Sequence, residues 1–212
     1  GDVPTLPTDI VRRLDDDGAE SLVSVLGMEL DDPGAYGRLI CDQGGRLSRI
    51  VEARDCTPEQ LAVRQVNAGV YRVDAQHLFT TLKTLSTDNA QGEYYLTDIV
   101  EAASKLERPV SMTVLTGDES VLAEGVNNRI HLAAAEGRMQ ARLRRELMIG
   151  GVTMIAPDRV IIEDGVIVGS DTVIEPDVTL MGGTVVGHGC YLEQSVRLVD
   201  THVGDNTRIK AF

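Results

Sequence analysis

The sequence predicts an α/β protein in three parts: a mixed sheet unit, a long helix, and a parallel β-helix. Three observations carry this prediction. Residues 1–125 alternate short apolar runs with helical patterns. Residues 127–149 hold one helical period throughout. From Ile162 an apolar residue returns every six positions.

In the first part, Thr8 is placed to cap a helix carrying Ile10, Val11 and Leu14. Ser21 to Leu30 and Tyr36 to Cys41 read as strands. Gly44-Gly45 is a turn and Arg46 to Ala53 alternates, so 36–53 reads as a hairpin. Thr57-Pro58-Glu59 is a helix start, with Thr as cap and Pro in the first turn. Val66 to Val73 is a strand, Ala75 to Leu85 and Tyr94 to Leu106 are helical, and Pro109 to Leu115 is a strand. This order of elements suits an α/β sheet with an antiparallel insertion.

Asn127 or Asn128 can cap the long helix, and Gly150-Gly151 ends it. Ile130, Leu132, Ala133, Ala134, Met139, Leu143 and Leu147 form its apolar stripe. Arg138, Arg142, Arg144 and Arg145 read as a solvated face.

The repeat then places Ile162, Val168, Ile174, Leu180, Val186, Leu192 and Leu198 at one spacing, resuming after a shortened step at Val203 and Ile209. Four residues after most of these stands a small or β-branched residue: Val166, Thr172, Val178, Thr184, Cys190, Val196, Thr207. Gly, Asp, Glu, Pro and His fill the intervals, as turns require. This is a hexapeptide β-helix pattern of about three coils. One coil cannot bury its apolar face alone, so coils must stack.

Composition narrows the function classes. The net charge of −13 opposes binding to nucleic acid or to an anionic membrane surface. Cys41, Cys56 and Cys190 are scattered, which signals neither a disulfide framework nor a zinc site and suits a reducing cytoplasm. No apolar run reaches the ~20 residues of a membrane span. No GxGxxG or P-loop is present; Gly187-His188-Gly189 sits in a repeat turn. His188 and His202 read as solvated turn residues.

Six strings in the first part are candidates for chemistry: Gly-Asp-Val-Pro at 1–4, Tyr-Gly-Arg at 36–38, Ile-Val-Glu at 50–52, Val-Asn-Ala-Gly at 66–69, residues 88–98 (DNAQGEYYLTD) and Gly-Val-Asn-Asn-Arg at 125–129. Each alone has a plain structural reading as a turn, a solvated strand residue or a helix cap. In this order, ahead of a long helix and hexapeptide repeats, they resemble the bifunctional N-acetylglucosamine-1-phosphate uridyltransferase and glucosamine-1-phosphate acetyltransferase family. The resemblance covers essentially the whole chain, and NAQGEYYLTD and GVNNR are its most specific strings.

That resemblance implies a partial Rossmann-like nucleotidyltransferase domain at 1–126, a linker helix at 127–151, and the first coils of a left-handed parallel β-helix at 152–212. It implies a parent enzyme that acetylates glucosamine-1-phosphate with acetyl-CoA, then joins N-acetylglucosamine-1-phosphate to UTP. The products are UDP-N-acetylglucosamine, for peptidoglycan and lipopolysaccharide precursors, and pyrophosphate. Asp2 and Asn127 match its two magnesium ligands. Gly37, Glu52, Asn67 and Asn127 match positions that hold the sugar. The residue types suit these roles, since Mg²⁺ takes one or two protein oxygens beside phosphate and water. Glu52 can accept hydroxyl hydrogens, and Asn67 can donate and accept. No catalytic residue beyond the metal ligands is expected. A cytoplasmic homotrimer is implied for the parent.

The chain departs from the family pattern in places. Gly34-Ala35-Tyr36 stands where Thr-Gly-Tyr is usual, and Ala68 where Thr is frequent. The nucleotide loop is expected ahead of Asp2, and the acetyltransferase histidine in coils beyond 212. The chain therefore reads as an internal fragment with little catalysis of its own and reduced stability. The alternatives are a stand-alone hexapeptide acyltransferase, another sugar-1-phosphate nucleotidyltransferase, and a binding or assembly module.

Overall fold

The computed structural model describes residues 3–106 and 108–211. They form two units, divided between Asn127 and Asn128.

In the first unit, strand β1 (Val23–Glu29) is buried along all but its last residue. Such a run belongs in the middle of a sheet covered on both faces. β2 (Arg38–Cys41), β3 (Leu47–Val51), β4 (Gln65–Val73) and β5 (Val110–Leu115) complete the order β3-β2-β4-β1-β5. β1 is antiparallel to β4 and parallel to β5, and β2 and β3 form the expected hairpin. Alternation divides β1 between two cores. Leu26 and Met28 pack with Ile10 and Leu14 of α1 (Thr8–Asp17). Val23 and Val25 pack with Ile99, Val100 and Ala103 of α4 (Asp98–Lys105). The sheet is thus sandwiched between helices, as an α/β class requires.

Several local expectations are met and some are corrected. α2 (Pro58–Leu61) starts with a full capping box from Thr57 and Gln60. α1 is not capped by Thr8, which is its first helical residue; Pro7 occupies the cap position without a side-chain bond. Val11 of the expected apolar set is 45% exposed, because Ile10 and Leu14 alone face the sheet. α3 (Ala75–Thr81) and α4 are shorter than the periodicity predicts, and residues 94–97 precede α4 as loop.

The second unit begins with α5 (Arg129–Ile149), capped by Asn128, whose side chain accepts from Ile130 and His131 N–H. Only the C-terminal half of its stripe is covered. Leu143 joins the β-helix core, flanked by Met139 and Leu147, whereas Ile130 is 80% exposed. Arg144 corrects the solvated-face reading. It is buried, and its guanidinium donates to the carbonyls of Pro157 (2.7 Å) and Val160. Gln140 also donates to and accepts from the Ile162 backbone, so α5 is sewn to the first coil.

The rest is a left-handed parallel β-helix of about three turns. One face stacks β6 (Thr153–Met154), β9 (Val173–Ile174), β12 (Tyr191–Leu192) and β15 (Arg208–Ile209). The second stacks β7 (Ile161–Ile162), β10 (Thr179–Met181) and β13 (Arg197–Val199); the third stacks β8 (Ile167–Val168), β11 (Val185–Val186) and β14 (His202–Val203). The repeated aliphatics Ile162, Ile174, Leu180, Val186 and Leu192 are at most 1% exposed. Turns use the left-handed backbone at Asp171, Asp177, Ser195, Asp200 and Asn206, where Asp and Asn tolerate it best. His202 lies in β14 rather than in a turn, while His188 is in a turn as expected; both are exposed.

Turns stack so closely at Gly169 and Gly187 that neither leaves room for a side chain. A Cβ at Gly169 would lie 2.7 Å from the Gly187 carbonyl carbon and from His188 N. Gly169→Ala is expected to cost about 1–3 kcal/mol through overpacking. Gly183→Ala, whose Cβ would meet only Asp200 at 3.7 Å, is the control in urea titrations. Equal effects would refute the stacking argument. Among the described residues no helix is long and apolar enough to cross a membrane.

Candidate functional site

Four of the six strings converge on one edge of the sheet, beside α4. Gly37 precedes β2 and Glu52 follows β3, so the hairpin sets them side by side. A Cβ on Gly37 would lie 3.3 Å from both Glu52 carboxylate oxygens and 3.0 Å from Ile50. Gly37 therefore lets the carboxylate lie against bare backbone. Across the sheet, Asn67 N donates to Gly37 O at 2.8 Å.

Asn67 stands where β4 leaves regular register. Leu26 pairs with Val70 but Gly27 pairs with Asn67, so Ala68 and Gly69 bulge out. Gly69 takes φ +76°, a conformation costly for any other residue. Bulges of this kind re-aim a side chain. Here Asn67 Oδ1 accepts from Gly69 N (3.0 Å) and Nδ2 donates to the Tyr71 hydroxyl (2.6 Å).

The loop 88–98 is laced onto the same edge. Asp55 accepts from Ala90 N (2.8 Å) and from the Tyr95 hydroxyl (3.2 Å). Buried Thr97 donates to Glu52 Oε1 at 3.3 Å. Asn89 Oδ1 accepts from Gln91 and Glu93 N–H, folding the loop on itself. Opposite, Arg38 is buried and its guanidinium donates to the carbonyls of Gly34 and Tyr36, holding the segment before Gly37.

Gly125 N donates to the Tyr36 hydroxyl at 3.1 Å, which ties the 125–129 string to the 36–38 string. Asn127 lies two residues further on and is exposed. Asp2 falls outside the described residues, so its relation to Asn127 stands as an expectation. An amide oxygen on an exposed, tethered segment, with a carboxylate, is a hard donor set that suits Mg²⁺. Among the described residues, no group of three or more His, Cys, Asp or Glu is placed to hold a metal.

Burial pushes the Glu52 carboxyl above its ordinary value; the Thr97 hydrogen bond opposes this, and Asp55 and Asp98 add to it. Asp98 is also raised, first by burial and then by Glu101. The edge is therefore acidic and rich in acceptors. It can take hydroxyl and amide hydrogens, and it repels phosphate unless a cation intervenes. The sequence reading named Gly37, Glu52 and Asn67, which come together. It missed Thr97, Tyr71, Asp55 and Arg38 as supports, although Arg38, Tyr71 and Thr97 lie within or beside the quoted strings.

The chain thus combines two units of different class, an α/β unit with a hydroxyl-accepting edge and a hexapeptide β-helix. No family model matches the chain. Relatives do: the Bifunctional protein GlmU of Pelobacter propionicus is 39% identical over 216 residues, covering 100% of this chain and 46% of that protein. Those of Trichlorobacter lovleyi (40%, 100% of this chain, 46% of the relative) and Lactobacillus johnsonii (41%, 99% and 45%) agree. The chain belongs to the GlmU family, and it spans about 46% of the length of the relatives it matches.

Proposed function

We propose that this chain supplies the amino-sugar-holding part of a nucleotidyltransferase site, with the α/β unit at 1–126, the linker helix at 127–151 and the β-helix from 152 as its parts. In this reading the longer protein joins N-acetylglucosamine-1-phosphate to UTP, giving UDP-N-acetylglucosamine and pyrophosphate. Its β-helix part acetylates glucosamine-1-phosphate with acetyl-CoA. The assembly is a cytoplasmic homotrimer serving cell-wall precursors.

The observation that supports the sugar-holding role is the convergence of Gly37, Glu52 and Asn67 from three separate strings. Glu52 accepts hydrogens from sugar hydroxyls. Asn67 offers its second Nδ2 hydrogen and the free lone pair of Oδ1. Gly37 admits the ring close to the backbone. Loop 88–98 closes one side and limits water. The sugar phosphate must point away from Glu52, Asp55 and Asp98, toward the segment carrying Asn127. A magnesium ion held by Asp2 and Asn127 would offset phosphate charge there. The chain's own residues then act by positioning, since in-line phosphoryl chemistry needs little proton transfer.

Saturation-transfer NMR on the chain, with Mg²⁺ present, tests this. N-acetylglucosamine-1-phosphate is expected to receive saturation, including at its N-acetyl methyl, and to exceed glucose-1-phosphate. Equal or absent transfer for both sugars defeats the reading.

A further inference from the structure

We infer that Tyr71 is the positioning residue that fixes the orientation of the Asn67 amide, and so decides which end of it a ligand meets. This rests on the proposed sugar site and deepens it.

The two ends of an asparagine amide have the same shape and opposite hydrogen-bonding character. A site that needs a donor at one point and an acceptor at another must prevent the flip. Two partners do so here. Gly69 N–H can only donate, so it must face Oδ1, which it does at 3.0 Å. Nδ2 must then face the Tyr71 oxygen, 2.6 Å away. The Gly69 contact is local and rides on the bulge itself. Tyr71 is the anchor from outside the bulge: its ring packs against the β1–α4 core and pairs in register with buried Val25. A tyrosine oxygen held this way accepts the Nδ2 hydrogen and leaves the other hydrogen for a ligand.

Tyr71 stays neutral while doing this. Burial pushes its hydroxyl up to about 12; the bond from Asn67 lowers it and nearby Glu52 raises it. Its hold on Asn67 therefore does not titrate across the neutral range. Removing the Tyr71 oxygen should weaken sugar binding equally at every pH between 6 and 9.

The test uses Tyr71→Phe, Asn67→Ala and the double variant. Y71F removes one hydrogen bond and is expected to weaken N-acetylglucosamine-1-phosphate binding by about threefold to tenfold. The pH profile should keep its shape. In the N67A background Y71F is expected to add less than twofold, because Tyr71 acts through Asn67. A further loss of threefold or more there overturns the inference, as does unchanged binding by Y71F alone. The side-chain amide resonances of Asn67 give a ligand-free arm. Y71F should shift the Nδ2 protons and speed their exchange with water, and unchanged resonances overturn the inference. If the wild-type chain binds no sugar, the proposed function fails, and this amide arm alone decides whether Tyr71 holds Asn67.

Discussion

Leu180→Ala is expected to destabilise the β-helix by about 2–5 kcal/mol, the cost of a buried leucine plus the cavity it leaves. Leu180 is fully buried and its strand lies between those of Ile162 and Leu198, so truncation strips contacts from the coils on both sides. Ile209→Ala is the comparison. Ile209 is only partly buried, stacks on Leu192, and should cost less than half as much. In a solenoid, stability is a sum of repeat and nearest-neighbour terms. Urea unfolding of the two variants measures the difference. Equal losses would mean that the coils do not stabilise one another as the stacking implies.

Glu52→Gln is expected to weaken sugar binding by about tenfold to a hundredfold, since hydrogen bonds to a charged group contribute about 1.5–3 kcal/mol. It is also expected to leave the chain as stable or more stable at neutral pH. Burial, more than any neighbour, raises the folded-state value of this carboxyl. A raised acid favours folding while protonated. Its stabilising contribution is present below the unfolded value of 4.5 and is lost as pH rises through the folded value. Above the folded value the ionised Glu52 is a net cost to the fold, which glutamine relieves. Below pH 4 the advantage should vanish. Wild-type affinity should likewise fall on acidification at a pH above the ordinary glutamate range. Melting temperatures at pH 7 and pH 4, with sugar titrations, test both halves. A large loss of stability in E52Q at neutral pH would mark Glu52 as a structural residue.

The β-helix was almost fully legible because one rule, an aliphatic every six residues, sets both its period and its core. The sheet was legible wherever a strand had one buried role, as in β1. What escaped was decided by partners distant in sequence. Arg144 reads as a surface charge until the Pro157 and Val160 carbonyls arrive over its guanidinium. Val66 to Val73 reads as a plain strand, and only Gly69 hints that it bulges. Tyr94 to Leu106 reads as one helix because its apolar period is good. Its first turn is instead drawn into the loop by the bonds of Asp55 and Glu52 to Tyr95 and Thr97. Gly37, Glu52 and Asn67 were reachable from the order of the strings. Tyr71 and Thr97 were not singled out, since each is an ordinary strand or loop residue until its partner is seen.

The two units pair their strands over different spans of chain, and this has a consequence for how each is born. In the β-helix, Cys190 meets Thr172 at a separation of 18 residues, the length of one coil. Each new turn needs only the turn before it. In the sheet, Ser24 of β1 must find Ser111 of β5 at a separation of 87 residues. Loop closure over such a distance slows folding. On a ribosome the β-helix can therefore wind up coil by coil as it emerges, while β1 must wait, apolar on both faces, until β5 has been made.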